Sequence, residues 1–187
     1  MGRVKQLLPL GRKSILEHSL DNLLESRVDE VIVVLGSEAA KVAKKVAARR
    51  VKTVVNPDYR RGMGTSIARG LNSVSIKATA IMLVLADQPF IDSKVINQLI
   101  DEFETPNKSI AVPVYKGRRG HPIIFAIKYK NELSGLKGDT GGKDIIERHP
   151  DDVIEVAVES EDIFTDIDDV ESYEVEKSKH ESRRTNR

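Results

Sequence analysis

The 187-residue chain contains no cysteine. Disulfides, thiolate metal sites and cysteine nucleophiles are therefore excluded, and the absence fits a cytoplasmic protein. Tryptophan is also missing, and aromatic residues make up only 4% of the sequence. The stacking platforms used by single-strand nucleic-acid binders are not expected from such a composition. No apolar run approaches the length that spans a bilayer, and no signal peptide is visible. A net charge of +1 gives no bulk attraction to nucleic acid or acidic membrane. The remainder is 40% hydrophobic and 32% charged, as in an ordinary soluble globular domain with a sizeable core.

The most informative stretch is residues 78–90, ATAIMLVLADQPF. Its aliphatic content and length suit a buried central strand of a parallel sheet. The run ends in Asp87, Gln88 and Pro89, and proline cannot continue a central strand. Asp87 thus falls at the C-terminal end of the strand, the edge where open α/β sheets bind ligands, and is well placed to hold a metal ion. The plainer reading is an acid at a strand-to-loop exit.

The flanking sequence alternates strand and helix signals. Residues 1–10 read as the exit from a loop, with Lys5 as a solvated lysine. Ser14 and Glu17 fit a capping box opening a helix to about residue 26, with Ile15, Leu16, Leu20, Leu23 and Leu24 on its apolar face. Residues 28–35 and 51–55 read as strands, and Ser37 as the cap of an intervening helix to about residue 49. Asn56-Pro57-Asp58 is a turn signal. The segment 59–66, YRRGMGTS, places two glycines, Thr65 and Ser66 just before a helix. Free N–H groups there suit an anion or the polar edge of a base, or the segment is a plain capped loop. Asp92 caps a helix to about residue 103.

Residues 109–115, the basic turn 116–120 and residues 121–125 read as a β-hairpin. Its arginines suit bidentate contact with an anion or simple solvation, and His121 beside Pro122 reads as structural more readily than catalytic. Residues 138–142, GDTGG, form a polar loop before a helix over 143–148, with Asp139 as a helix-start acid or a site residue. Residues 153–158 and 163–167 read as late strands. Asp166 and Asp168 share one face of an extended chain, and their plainer role is a helix start. One of them converging with Asp87 would suit Mg²⁺. Residues 174–187 are charged, lack an apolar pattern and read as a disordered tail behind a domain over 1–173. The fold class is α/β, a doubly wound, mostly parallel sheet with a β-hairpin insertion.

Six segments, in this order, carry a resemblance: MGRVKQLLPL, NPDYRRGMGTSIARGL, LVLADQPF, GRRGHPIIF, GDTGGKDII and DIDDVESY. Together they resemble the molybdenum cofactor cytidylyltransferases, within the Rossmann-like nucleotidyltransferase fold, over nearly the whole chain up to Tyr173. The resemblance implies that a terminal phosphate oxygen of a molybdopterin-type cofactor attacks the α-phosphate of CTP and pyrophosphate leaves. Positioning and charge neutralisation carry such chemistry.

It further implies a phosphate-contacting Lys5, Mg²⁺ held by Asp87 and Asp168 with Asp166 beside them, and nucleotide contacts from Asn56, Gly64, Thr65 and Ser66. Arg119, His121, Asp139 and Gly142 fall on the side expected to meet the pterin. Guanylyl-transferring relatives carry a Pro-containing segment where GMGTS stands, which favours cytosine. A molybdoenzyme or its chaperone is the implied protein partner.

Two departures qualify the resemblance. Family members carry a strand and a Gly-rich loop before the position of Met1, and Asp169-Val170 replaces a Thr-Pro after the last acid. The alternatives are an enzyme of the same fold with another acceptor, or an inactive or differently specific nucleotide-binding protein lacking the phosphate loop.

Overall fold

Side-chain alternation along the strands sorts the helices into two layers. The computed structural model describes residues 5–105 and 108–185, with side chains described through residue 179. A 3₁₀ turn at Lys5–Leu7 leads into a small hairpin, β1 (Pro9–Leu10) and β2 (Lys13–Ser14). There follow α1 (Ile15–Leu24), β3 (Ile32–Leu35), α2 (Ala39–Val46), β4 (Lys52–Val55), α3 (Met63–Leu71), β5 (Ala80–Leu83) and α4 (Ser93–Phe103). Then come β6 (Ile110–Tyr115), β7 (Arg118–Arg119), β8 (Ile123–Ala126), α5 (Lys130–Ser134), α6 (Lys143–Arg148), β9 (Val153–Ala157) and α7 (Val170–Thr185).

Ile81, Ile110, Val112, Ile123 and Phe125 point to one face of the sheet, where Leu71 of α3, Leu133 of α5 and Ile145 of α6 cover them. Their strand neighbours Met82, Ala111 and Ile124 point to the other face, towards Leu99 of α4. On that face α1, α2 and α4 pack against Leu35 of β3 through Leu16, Leu20, Val42, Val46 and Ile96. Helices on both faces make the fold doubly wound, as expected for the α/β class. The strand directions are mixed. β5 and β6 both run antiparallel to β8, which lies between them, and β9 runs parallel to β6. Hence β5, β6 and β9 share one direction, and β7 and β8 oppose it. β3 and β4 form a separate parallel pair. Among the described residues no backbone hydrogen bond joins β3 to β5, although both contribute to the core under α1, α2 and α4.

Local chemistry explains where the elements begin. Ser14 caps α1 in a full capping box with Glu17, and Asp92 caps α4 by accepting from Lys94 N and Val95 N. Other boundaries differ from the sequence expectation. α2 starts at Ala39, after Glu38 in a left-handed conformation (φ 53°), so Ser37 is not its cap. α3 starts at Met63, which brings Gly64, Thr65 and Ser66 inside its first turns.

Residues 163–167 form no strand. Ser160 Oγ accepts from Asp162 N and starts a 3₁₀ turn over Glu161–Phe164, which sends Ile163 and Ile167 into different cores. Residues 174–185, read above as part of a tail, belong to α7, and residues 186–187 lie outside the described residues. The helix is anchored by Tyr173, which packs with Leu10, Ile15 and Ile167 and donates from its hydroxyl to Pro9 O at 2.5 Å. Among the described residues no helix is long and apolar enough to cross a membrane.

Candidate active site

Three charged side chains from distant parts of the chain meet beyond the end of β5. Lys5 Nζ lies 2.5 Å from Asp87 Oδ2 and 2.5 Å from Asp168 Oδ1. Asp87 is only 17% exposed, whereas Asp168 is 66% exposed. Burial by itself lowers the Lys5 pKa, but hydrogen bonds and attraction from Asp168 and Asp87 outweigh it and hold the ammonium above its ordinary value. The backbone closes the same junction, because Ile167 N donates to Asp87 O at 3.1 Å.

A polar layer backs the acids. Gln88 Nε2 donates to Asp166 Oδ1 at 2.7 Å and to Ile163 O at 3.4 Å. Burial raises the Asp166 pKa, the charges of Asp87 and Asp168 raise it further, and the Gln88 hydrogen bond opposes them. His121 N donates to Ile163 O at 3.2 Å. Burial lowers the His121 ring's pKa, against the attraction of Asp166 and Asp87. Among the described residues, His121 Nδ1 and Gln88 Oε1 are both buried without a hydrogen-bond partner. His121 is among the site residues expected from the sequence, and Gln88 is not. The one available signal was an amide wedged between an acid and a proline at the end of an apolar run.

The second group of expected site residues gathers at the start of α3. Asn56 is buried, and its Nδ2 donates to Thr65 Oγ1 and Ser66 Oγ at 2.9 and 3.0 Å. The free N–H groups expected here are taken. Met63 N donates to Asp139 Oδ1, Gly64 N to Gly138 O and Thr65 N to Gly62 O. Gly64 packs so closely that a Cβ there would lie 2.4 Å from Leu136 O. Gly142 is equally confined, with the Phe125 ring 2.5 Å from a Cβ position and Leu83 of β5 at 3.6 Å. The loop 138–142 is thereby fastened both to α3 and to the end of β5. Arg119 stands outside both groups, donating from Nε to Glu155 Oε1 at 2.7 Å.

Among the described residues no cluster of three or more His, Cys, Asp or Glu side chains could hold a metal ion. Two carboxylates do converge, and the Lys5 ammonium between them is a stand-in for a cation. Mg²⁺ is commonly held by one or two carboxylates, with water and substrate phosphates completing its shell. The acid pair therefore fits such an ion.

A lysine and two carboxylates gathered beyond the C-terminal end of β5 mark the edge where doubly wound α/β enzymes bind their ligands. Residues 1–153 match the MobA-like NTP transferase domain, and the chain belongs to that family. It is a nucleotidyltransferase. Purine catabolism protein PucB of Bacillus subtilis is 32% identical over 154 residues, covering 78% of this chain and 74% of that protein. Nicotine blue oxidoreductase of Paenarthrobacter nicotinovorans is 27% identical over 175 residues, covering 89% and 84%. The crystal structure of Rv0371c of Mycobacterium tuberculosis H37Rv in complex with manganese has a TM-score of 0.83 and 32% identity, covering 93% of this chain and 91% of that one.

Proposed function

We propose that the protein is a Mg²⁺-dependent cytidylyltransferase that transfers CMP from CTP to a molybdopterin-type cofactor. A terminal phosphate oxygen of the acceptor bonds to the α-phosphorus of CTP, the bond to the bridging oxygen breaks, and pyrophosphate departs. The observation that carries this reading is Lys5 bridging Asp87 and Asp168. Asp87 and Asp168 would hold the metal ion, which when bound supplies positive charge against the phosphates. Lys5, freed from the acids, contacts phosphate oxygens and steadies their charge. Asn56 fixes Thr65 and Ser66 beside Gly64, a rigid edge for the nucleotide. His121, Asp139 and Gly142 would meet the acceptor, and Arg119, which pairs with Glu155 outside both groups, would have to leave that partner to join them. The manganese complex of the Rv0371c structure supports a divalent ion.

The test is pyrophosphate release from CTP and Mg²⁺ with molybdopterin, comparing wild type with Asp87→Ala. The expected loss is roughly a hundredfold or more in kcat. Equal rates for the two proteins would overturn the metal assignment. GTP supporting the faster wild-type turnover would overturn the choice of base.

A further inference from the structure

We propose that Gln88 is a positioning residue, holding Asp166 and the chain around it so that Asp87 and Asp168 converge on one cation. This rests on the metal reading above. The segment 163–168 approaches the end of β5 from far along the chain, and four hydrogen bonds fasten it there. His121 N and Gln88 Nε2 both donate to Ile163 O, Gln88 Nε2 also donates to Asp166 Oδ1, and Ile167 N donates to Asp87 O. Gln88 is the one side chain in this set that reaches the segment at two points. Gly120 leaves no slack on the opposite side, because a Cβ there would sit 2.6 Å from Ile163 O.

The amide's orientation is forced. Both neighbours are acceptors, so Nε2 must face them, and Oε1 is left buried with no partner among the described residues. Gln88 is 2% exposed. A buried acceptor without a donor is a cost to the fold. A methionine of similar length would fill the same volume without it. The unpartnered Oε1 thus offsets part of what the two donated bonds contribute to stability, and what those bonds fix is the geometry of the acids. With Gln88 removed, Asp166 loses its donor, and the segment that carries Asp168 loses two of its fastenings.

The experiment uses the full chain with Mn²⁺ as the probe and no substrate. Free Mn²⁺ is followed by electron paramagnetic resonance for wild type, Gln88→Met and Asp87→Ala, and each protein is melted without metal. Gln88→Met is expected to bind Mn²⁺ roughly ten- to a hundredfold more weakly, the usual range for residues that orient metal ligands. Its Tm is expected to stay within ~5 °C of that of wild type, because losing the two donated bonds is offset by removing the unpartnered Oε1. Mn²⁺ affinity within about twofold of wild type, while Asp87→Ala has lost binding, would overturn the role of Gln88 and leave the metal reading standing. A Gln88→Met melt lowered by more than ~5 °C would assign the residue to the core instead. Unaltered binding by Asp87→Ala would overturn the metal reading and this inference with it.

Discussion

Gly64 and Glu17 show how single positions constrain this molecule. A methyl group at residue 64 would meet the backbone of Leu136 and Lys137, neither of which can rotate aside. Gly64→Ala is expected to destabilise the fold by about 1–3 kcal/mol, read from urea denaturation. Glu17 accepts from Ser14 N and pairs with Lys45 and Arg49, joining α1 to the end of α2. Burial by itself would raise its pKa, but the Ser14 and Lys45 hydrogen bonds bring it down to about 2, from an ordinary 4.5. A depressed carboxylate stabilises the fold fully above its unfolded value and loses that contribution as protons bind. Unfolding free energy is therefore expected to fall between pH 4.5 and about 2. Glu17→Gln is expected to flatten that fall, measured by denaturation across the same range. Asp87 was legible in the sequence because a carboxylate ended an apolar run. The bond from Gln88 to Asp166 was not, since 78 positions separate the two and no local pattern links one to the other.

Among the elements, the helices with side-chain caps were the readable ones. Ser14 and Asp92 stand where the sequence put them, because a cap is a bond between near neighbours. The start of α2 was misplaced, since it depends on the left-handed Glu38 rather than on Ser37. Residues 163–167 mimicked a strand through Ile163 and Ile167, yet those two side chains serve separate cores. Charge content hid α7. Asp169 Oδ1 accepts from Ser172 N at its start, Lys179 pairs with Glu176, and Tyr173 supplies the apolar anchor. Tyr173→Phe removes the hydroxyl bond to Pro9 O and is expected to cost about 1 kcal/mol by chemical denaturation. A proteolysis assay on the same variant is expected to show faster cleavage within α7.

For the whole molecule, the layering followed from alternation and was visible in the sequence, while strand order was not. The insertion of β8 between β5 and β6 is a choice among long-range pairings that local patterns do not encode. The lack of a hydrogen-bonded link between β3 and β5 has a mechanical meaning. Among the described residues a fault line that no strand pairing crosses separates a small two-stranded block from a larger one, and side-chain packing with a few polar contacts, such as Ser75 N to Glu30, spans it. Two-stranded units are marginal by themselves, and β4 is mostly solvent-facing. Native-state hydrogen exchange is expected to release the β3 and β4 amides through a local opening of lower free energy than the one that frees β6 and β8. Matching protection on both sides would mean that interleaved side chains, without a continuous strand ladder, weld the halves into a single cooperative body.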